Sequence, residues 1–191
     1  MSKPLPAPMT VDEFFAWQER QDERYELVDG YPQLYRMMTG ASNFHDSVVV
    51  NTIVALGNQL RGTRCRVVTA DTAVRTSITA LRRPDVTVDC APPQDGSYEA
   101  HRPTLALEVF SPSTRRMDQV RKLEEYKRLP SLIYILFAEP DTPEVLLLTR
   151  SDEGWTDEAF VGRDAVVELP AIGARLPLAE MYEGIPPNAS A

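Results

Sequence analysis

Two acidic residues interrupt otherwise apolar, strand-like runs of this 191-residue chain. Asp85 lies in LRRPDVTVDC, and Glu108 lies in TLALEVFSPST after one intervening loop. The run around Glu108 is typical of a central strand covered on both faces, where an unpaired carboxylate is costly. Two such acids on consecutive strands are expected to lie side by side and to bind one divalent cation. For either acid alone, a position facing solvent is the more ordinary explanation.

The helix predicted after Glu108 places three polar residues on one face. Asp118, Lys122 and Tyr126 follow one another at four-residue spacing. Because this helix begins directly after the strand that holds Glu108, the face can return toward that carboxylate. An exposed stripe with a weak pair between Asp118 and Lys122 is the alternative interpretation.

Other polar residues offer weaker signals. His45 is a candidate general base, although its position at the start of a helix also accounts for a polar residue. His101 is expected on a surface loop. Ser111 and Ser113 are interpreted as turn and cap residues, because the chain contains neither a G-x-S-x-G nucleophile motif nor a Gly-rich phosphate loop.

The first third of the chain carries clear element signals. Thr10 is a predicted helix N-cap, with Glu13 at capping-box spacing. Asp29 and Gly30 separate two alternating apolar runs, which predicts a tight β-hairpin. The apolar spacing in SNFHDSVVVNTIVALGNQLRG predicts a second helix that Gly62 ends.

The rest of the chain is predicted to alternate between strands and one long helix. CRVVTADTAVRTSITA is interpreted as two short strands, which precede the two strands with the acids. Ser113 or Thr114 caps the next helix, which runs to about Arg128 and ends before Pro130. LIYILF and EVLLLTR are further strands. These elements predict an α/β or α+β fold, with one mixed β-sheet flanked by helices.

Length and composition favour one domain at residues 10–185, with flexible ends at 1–9 and 186–191. Cys65 and Cys90 are too few for a disulfide framework or a four-ligand zinc site, and both are interpreted as small core or near-surface hydrophobes. No apolar run is long enough to span a bilayer, and the first ten residues lack the apolar stretch of a secretory signal. We therefore expect a cytoplasmic protein without membrane contact.

The charge is unevenly distributed. The chain carries a net charge of −8, which argues against a simple nucleic-acid coat. Residues 30–138, however, hold fourteen Lys or Arg and ten acids, a local charge of +4. Six of these bases fall between Arg115 and Arg128 against three acids, which suits a helix along a phosphate backbone as well as a solvated face.

The ordered set of motifs resembles the Uma-two (Uma2) family of predicted restriction endonucleases. The resemblance rests on RYELVDG, His45, RPDVTVDC, PTLALEVFSPST and D-x-x-x-K-x-x-x-Y, from about Thr10 to Ile185. It implies a restriction-endonuclease-like PD-(D/E)XK core. It also implies that Asp85 and Glu108 bind metal, and the oxygen donors favour Mg²⁺ or Mn²⁺ over zinc.

The chain departs from the general nuclease motif at one position. That motif places a Lys two residues after the Glu, where this chain has Phe110. The resemblance makes Lys122, on the following helix, the candidate for the missing amine. Glu26 in RYELVDG matches a family position that completes an acidic cluster, although a hairpin surface residue is an equal alternative.

Two functions follow from these observations. The first is a metal-dependent endonuclease that hydrolyses phosphodiester bonds of DNA, expected as a homodimer because two copies cut two strands most simply. The second is a catalytically idle protein with the nuclease fold and a binding or regulatory role. The absent motif Lys and the acidic flanks of the chain favour the second.

Overall fold

A computed structural model describes residues 7–35, 43–110 and 116–186, without the side chains of 116–118. In these ranges the helices are α1 (Val11–Gln18), α2 (Asn43–Leu60), α3 (Arg116–Lys127) and α4 (Leu178–Met181), with a 3-10 turn at Pro170–Ile172. The strands are β1 (Tyr25–Val28), β2 (Tyr31–Leu34), β3 (Arg66–Thr69), β4 (Val74–Ser77), β5 (Ala80–Arg82), β6 (Val86–Asp89), β7 (Pro103–Val109), β8 (Tyr134–Ala138), β9 (Glu144–Ser151), β10 (Gly154–Val161), β11 (Val166–Leu169) and β12 (Ala174–Pro177). None of the helices in this part of the chain is long and apolar enough to cross a membrane.

A mixed sheet forms the centre of the protein. Its strand order is β10-β9-β8-β7-β6-β3, in which β7 and β8 are parallel and the other neighbours are antiparallel. Parallel strands need a crossover connection, and α3 supplies it between β7 and β8. The predicted fold class, a mixed sheet flanked by helices, is confirmed.

The central strand β7 is buried along its whole length. Leu105 and Leu107 face the larger core cluster, which α2 and the C-terminal elements cover. Ala106 faces the opposite side and packs in a smaller cluster with Tyr126 of α3. Because side chains alternate along a strand, Glu108 points to the side of Ala106, under α3.

Four strands form a second sheet, with the order β2-β1-β5-β4. Helix α1 covers it, and Phe14 packs with Leu27 and Leu81 in a third apolar cluster. The predicted hairpin is confirmed, because Asp29 and Gly30 both have positive φ angles, as a tight two-residue turn requires. The sequence pattern did not separate these strands from the main sheet.

The predicted ends of the helices have different outcomes. The capping box of α1 is confirmed, since Thr10 and Glu13 exchange hydrogen bonds. The predicted caps of α3, Ser113 and Thr114, lie outside the described residues. Most of the predicted flexible ends, at 1–6 and 187–191, lie outside them as well.

The two cysteines form a disulfide bond, which the interpretation of both as small core or near-surface hydrophobes did not include. Strands β3 and β6 pair with Arg66 opposite Asp89, and one further step in this register places Cys65 opposite Cys90. Both cysteines are buried. The composition gave the number of cysteines, but the pairing depends on the register of two strands, which a count does not contain.

Candidate active site

Strand pairing brings the two acids together. Strands β6 and β7 run antiparallel with Val86 opposite Leu107, and one further step in this register places Asp85 opposite Glu108. The Oδ2 atom of Asp85 accepts a hydrogen bond from the Val109 backbone N–H at 2.8 Å. That bond fixes the first carboxylate at the end of β7, beside the second.

Glu108 receives a donor from α3 on each of its oxygens. Lys122 Nζ donates to Oε2 at 2.9 Å, and the Tyr126 hydroxyl donates to Oε1 at 2.6 Å. The two donors are one helical turn apart, and all three side chains are buried. The helix face expected to return toward Glu108 therefore does so through Lys122 and Tyr126; the side chain of Asp118 lies outside the described part.

The environment of Glu108 controls its charge near neutral pH. Burial raises the pKa of Glu108 to about 7; the Lys122 ammonium opposes this shift, and the Asp85 carboxylate adds to it. A carboxyl group in this state gains or loses its proton under small changes of its surroundings. A cation placed beside it favours the ionised form.

His45 contacts the first acid. Its Nε2 atom lies 3.5 Å from Asp85 Oδ2, and α2 positions it as the third residue of that helix. Burial alone would lower the pKa of His45, but the hydrogen bond and the charge of Asp85 outweigh burial, so that the pKa lies above its usual value. His45 is thus placed at the edge of the site, against Asp85.

Glu26 lies near the two acids but is engaged by arginine. Its Oε1 atom accepts from the Arg83 backbone N–H at 2.9 Å, and its Oε2 atom accepts from Arg82 Nη1 at 3.1 Å. Its negative charge still contributes to the raised pKa of Glu108. The sequence predicted Glu26 as a member of the acidic cluster. In the structure it is a neighbour of the site and is paired with Arg82.

Tyr35 is a residue near the site that the sequence did not indicate. Burial raises the pKa of its phenol, and the charges of Asp85 and Glu108 raise it further, so the ring lies within the electrostatic range of both acids. It follows β2, and its backbone N–H donates to the Arg24 carbonyl at 2.8 Å. A single Tyr after a hairpin strand carries no sequence signal for such a position.

Phe110 occupies the position where the general nuclease motif has Lys. Its ring stacks on Phe137 of β8, with centroids 5.6 Å apart, at the edge of the apolar cluster under α3. The side chain therefore has a packing function. In the described part of the site, the ammonium beside Glu108 belongs to Lys122 instead.

The donor set fits a hard divalent cation. Asp85 and Glu108 supply carboxylate oxygens from adjacent strands, and Mg²⁺ characteristically takes one or two carboxylates and completes its shell with water and phosphate. Among the described residues, no group of three or more His, Cys, Asp or Glu is preassembled around a common point. A site of two acids with the remaining ligands from solvent and substrate suits Mg²⁺ or Mn²⁺ better than zinc, which requires an N/S-rich cage.

The mixed sheet, its crossover helix and the acids on adjacent strands define a protein with a nuclease-like fold. The crystal structure of "a putative nuclease belonging to DUF820" from Anabaena variabilis matches it with a TM-score of 0.71 at 17% identity, over 92% of this chain and 98% of that chain. An uncharacterised protein of Synechocystis is 31% identical over 187 residues, and the match covers 96% of each chain.

A model of the Uma2 family, described as "Putative restriction endonuclease", matches residues 11–179. The chain therefore belongs to the Uma2 family, as its motifs predicted. Membership of this family supports a nuclease role, and the solved neighbour supports the fold.

Proposed function

We propose that the protein is an endonuclease that uses Mg²⁺ or Mn²⁺ to hydrolyse phosphodiester bonds of DNA. One observation carries the proposal: Asp85, directly before β6, lies next to Glu108 of the adjacent strand β7, and Lys122 lies 2.9 Å from Glu108. This combination of two acids and an ammonium is the set that phosphodiester hydrolysis needs.

Asp85 and Glu108 are the proposed metal ligands. A bound divalent cation supplies Lewis acidity and an activated water at neutral pH. The backbone N–H of Val109 holds Asp85 in place, and Tyr126 holds Glu108. Because both acids are anchored by buried donors, they need little rearrangement to act as ligands.

Lys122 is the proposed positioning group for the nucleophile. Its ammonium is buried beside Glu108, where a positive charge acts more strongly than in water. From this position it stabilises the negative charge that builds up on the phosphate and orients the attacking water. His45, against Asp85, is proposed to hold that carboxylate rather than to act as the general base.

The substrate and assembly are proposed from charge and symmetry. The local charge of +4 over residues 30–138, which contain the site, supports binding of a phosphate backbone. A homodimer with two-fold symmetry supplies one site for each DNA strand.

A second candidate is a catalytically idle protein that keeps the fold for a binding or regulatory role. The observation that favours it is that both oxygens of Glu108 already accept hydrogen bonds, one from Lys122 and one from Tyr126. In this alternative the Lys122–Glu108 pair is a buried structural ion pair. Metal-dependent cleavage separates the two candidates.

The experiment that tests the proposal is the cleavage of supercoiled plasmid by the purified protein with Mg²⁺, Mn²⁺ or EDTA. Wild type is compared with Asp85→Ala, Lys122→Ala and the control Lys127→Ala, which removes an amine from the same helix. We expect metal-dependent nicking by wild type and Lys127→Ala, and its loss in the other two. No cleavage by wild type, or equal cleavage by Asp85→Ala, refutes the proposal.

A further inference from the structure

A buried arginine joins the second sheet to the helix that carries Lys122. Arg82, at the end of β5, is 1% exposed. Its guanidinium donates two hydrogen bonds to Glu125 of α3, from Nε to Oε2 and from Nη2 to Oε1, each 2.8 Å long. The Thr76 hydroxyl of β4 donates to the same carboxylate at 2.9 Å. Glu125 is therefore bound from two strands of the second sheet.

The same arginine also contacts the segment that leads into the first acid. Its Nη1 atom donates to Glu26, whose other oxygen accepts from the Arg83 backbone N–H. Arg83 stands two residues before Asp85. The hydrogen bonds among Arg82, Glu26 and Glu125 therefore contact both the backbone just before Asp85 and the helix that packs over Glu108.

Helix α3 is held largely by polar contacts, among them the ion pair of Arg121 with Asp29. Of its described side chains, Leu123 and Tyr126 pack in the apolar cluster beneath it, whereas Val120 is 58% exposed. Its sequence, RMDQVRKLEEYK, is mostly charged. A helix with so small an apolar face is held weakly by hydrophobic burial, so directed polar contacts decide its rotation and height.

Glu125 lies on α3 beside the face that carries the two donors to Glu108. It is three residues after Lys122 and directly precedes Tyr126. One residue of helix corresponds to a rise of about 1.5 Å and a rotation of about 100°. A shift of α3 by even a fraction of this step breaks hydrogen bonds of 2.6 and 2.9 Å to a buried carboxylate.

We propose that Arg82 is a positioning residue for the active site: through its fork to Glu125 it sets α3 so that Lys122 and Tyr126 reach Glu108. The catalytic consequence rests on the proposed function, but the positioning itself does not. The proposal assigns Glu26 to the same device, as the anchor of Arg82 and of the backbone before Asp85. Lysine cannot replace Arg82, because it lacks the planar fork that binds both carboxylate oxygens.

The test uses a spectroscopic signal of the Tyr126 contact. The full chain is labelled with 3-fluorotyrosine, and the ¹⁹F resonance of Tyr126 is assigned with Tyr126→Phe. Arg82→Lys is compared with Arg66→Lys, a matched control whose guanidinium also pairs with a buried carboxylate, Asp89, at the opposite end of β6 from Asp85. Mn²⁺ affinity is measured for each protein by calorimetry.

We expect Arg82→Lys to shift the Tyr126 resonance and to weaken Mn²⁺ binding by tenfold or more, the range for outer-shell partners of metal ligands. Arg66→Lys is expected to leave both unchanged. If Arg82→Lys does not fold, Glu125→Gln at the other end of the fork must give the same pair of effects. An unchanged Tyr126 resonance in a folded Arg82 or Glu125 variant overturns the proposal.

The two proposals fail in distinguishable ways. Wild type that binds no Mn²⁺ and cuts no DNA refutes the proposed function, while the ¹⁹F comparison still decides whether Arg82 positions α3. A normal ¹⁹F signal and normal Mn²⁺ affinity in Arg82→Lys, together with active wild type, refutes only the positioning role.

Discussion

Lys122 Nζ on α3 donates a buried hydrogen bond of 2.9 Å to Glu108 Oε2, on the strand just before that helix. The general nuclease motif places its lysine on the same strand as the acid, where this chain has Phe110. Crossover through α3 brings a lysine back to the acid from the helix. The amine and the acid of the motif are therefore adjacent in space, although fourteen residues separate them.

Removal of the Lys122 amine is expected to reduce cleavage strongly without unfolding the protein. Loss of one preorganised donor at a developing charge costs about 100-fold or more in rate. Lys122→Met keeps the length of the side chain, and Lys127→Met on the same helix is its control. Single-turnover cleavage of plasmid DNA measures the effect. Equal rates for the two variants would contradict the role of Lys122.

Metal affinity is expected to fall as the pH falls through neutrality. Burial raises the pKa of Glu108 to about 7, so that below this pH a proton competes with the cation for the carboxylate. The apparent Mn²⁺ affinity should approach a tenfold loss per pH unit between about pH 7 and about pH 6, and should change little above about pH 8. Calorimetric titrations across this range give the profile. A flat profile would exclude Glu108 as a ligand that must ionise.

Glu125 is expected to contribute to stability at neutral pH and to lose this contribution in acid. Burial opposes its ionisation, but the Arg82 fork outweighs burial and lowers the pKa of Glu125 below its usual value. A lowered pKa means that the folded state gains stability above the unfolded pKa and loses it as the pH falls. Glu125→Gln should therefore cost on the order of 2 kcal/mol at neutral pH and less near pH 4.

Urea unfolding at the two pH values measures this difference. Glu124→Gln is the matched control, because the neighbouring Glu124 is exposed on the same helix. An equal cost of Glu125→Gln at both pH values would show that the Arg82 fork does not depend on the charge of Glu125.

Reduction of the disulfide is expected to lower stability and to spare the site. Cys65 and Cys90 are 25 residues apart, and a bond that closes a loop of this length contributes about 3 kcal/mol to the free energy of unfolding. Cys90 follows the end of β6, whereas Asp85 precedes its start. Urea unfolding with and without reductant, beside Mn²⁺ titration, checks both parts. A loss of Mn²⁺ binding on reduction would contradict the expectation that the site does not depend on the disulfide.

Local sequence patterns predicted most helices and strands and the adjacency of the acids, but not the division of LRRPDVTVDC into β5 and β6 of different sheets. Asp85 directly precedes β6 and Glu108 stands on the next strand, β7; consecutive strands usually pair, so one loop was enough to predict that the acids are neighbours. The helix after Glu108 was predicted from the sequence, and the return of its face toward Glu108 was expected because the helix begins directly after that strand.

The long-range side-chain partners were not predictable in the same way. Arg82 and Glu125 are 43 residues apart, and their fork exists because the second sheet packs against α3. The disulfide and the place of Tyr35 likewise depend on strand register and sheet packing. Such relations arise from the assembly of elements, and periodicity along the chain does not encode them.

The central claim is that Asp85 and Glu108 together hold one divalent cation. Calorimetric titration of Mn²⁺ into wild type, Asp85→Asn, Glu108→Gln and Asp95→Asn tests it most directly; Asp95 is an exposed acid in the loop between the same two strands. The account predicts one Mn²⁺ site per chain in wild type and Asp95→Asn, and none in the other two variants. Unchanged binding by Asp85→Asn or Glu108→Gln, or an absence of binding by wild type, would contradict it.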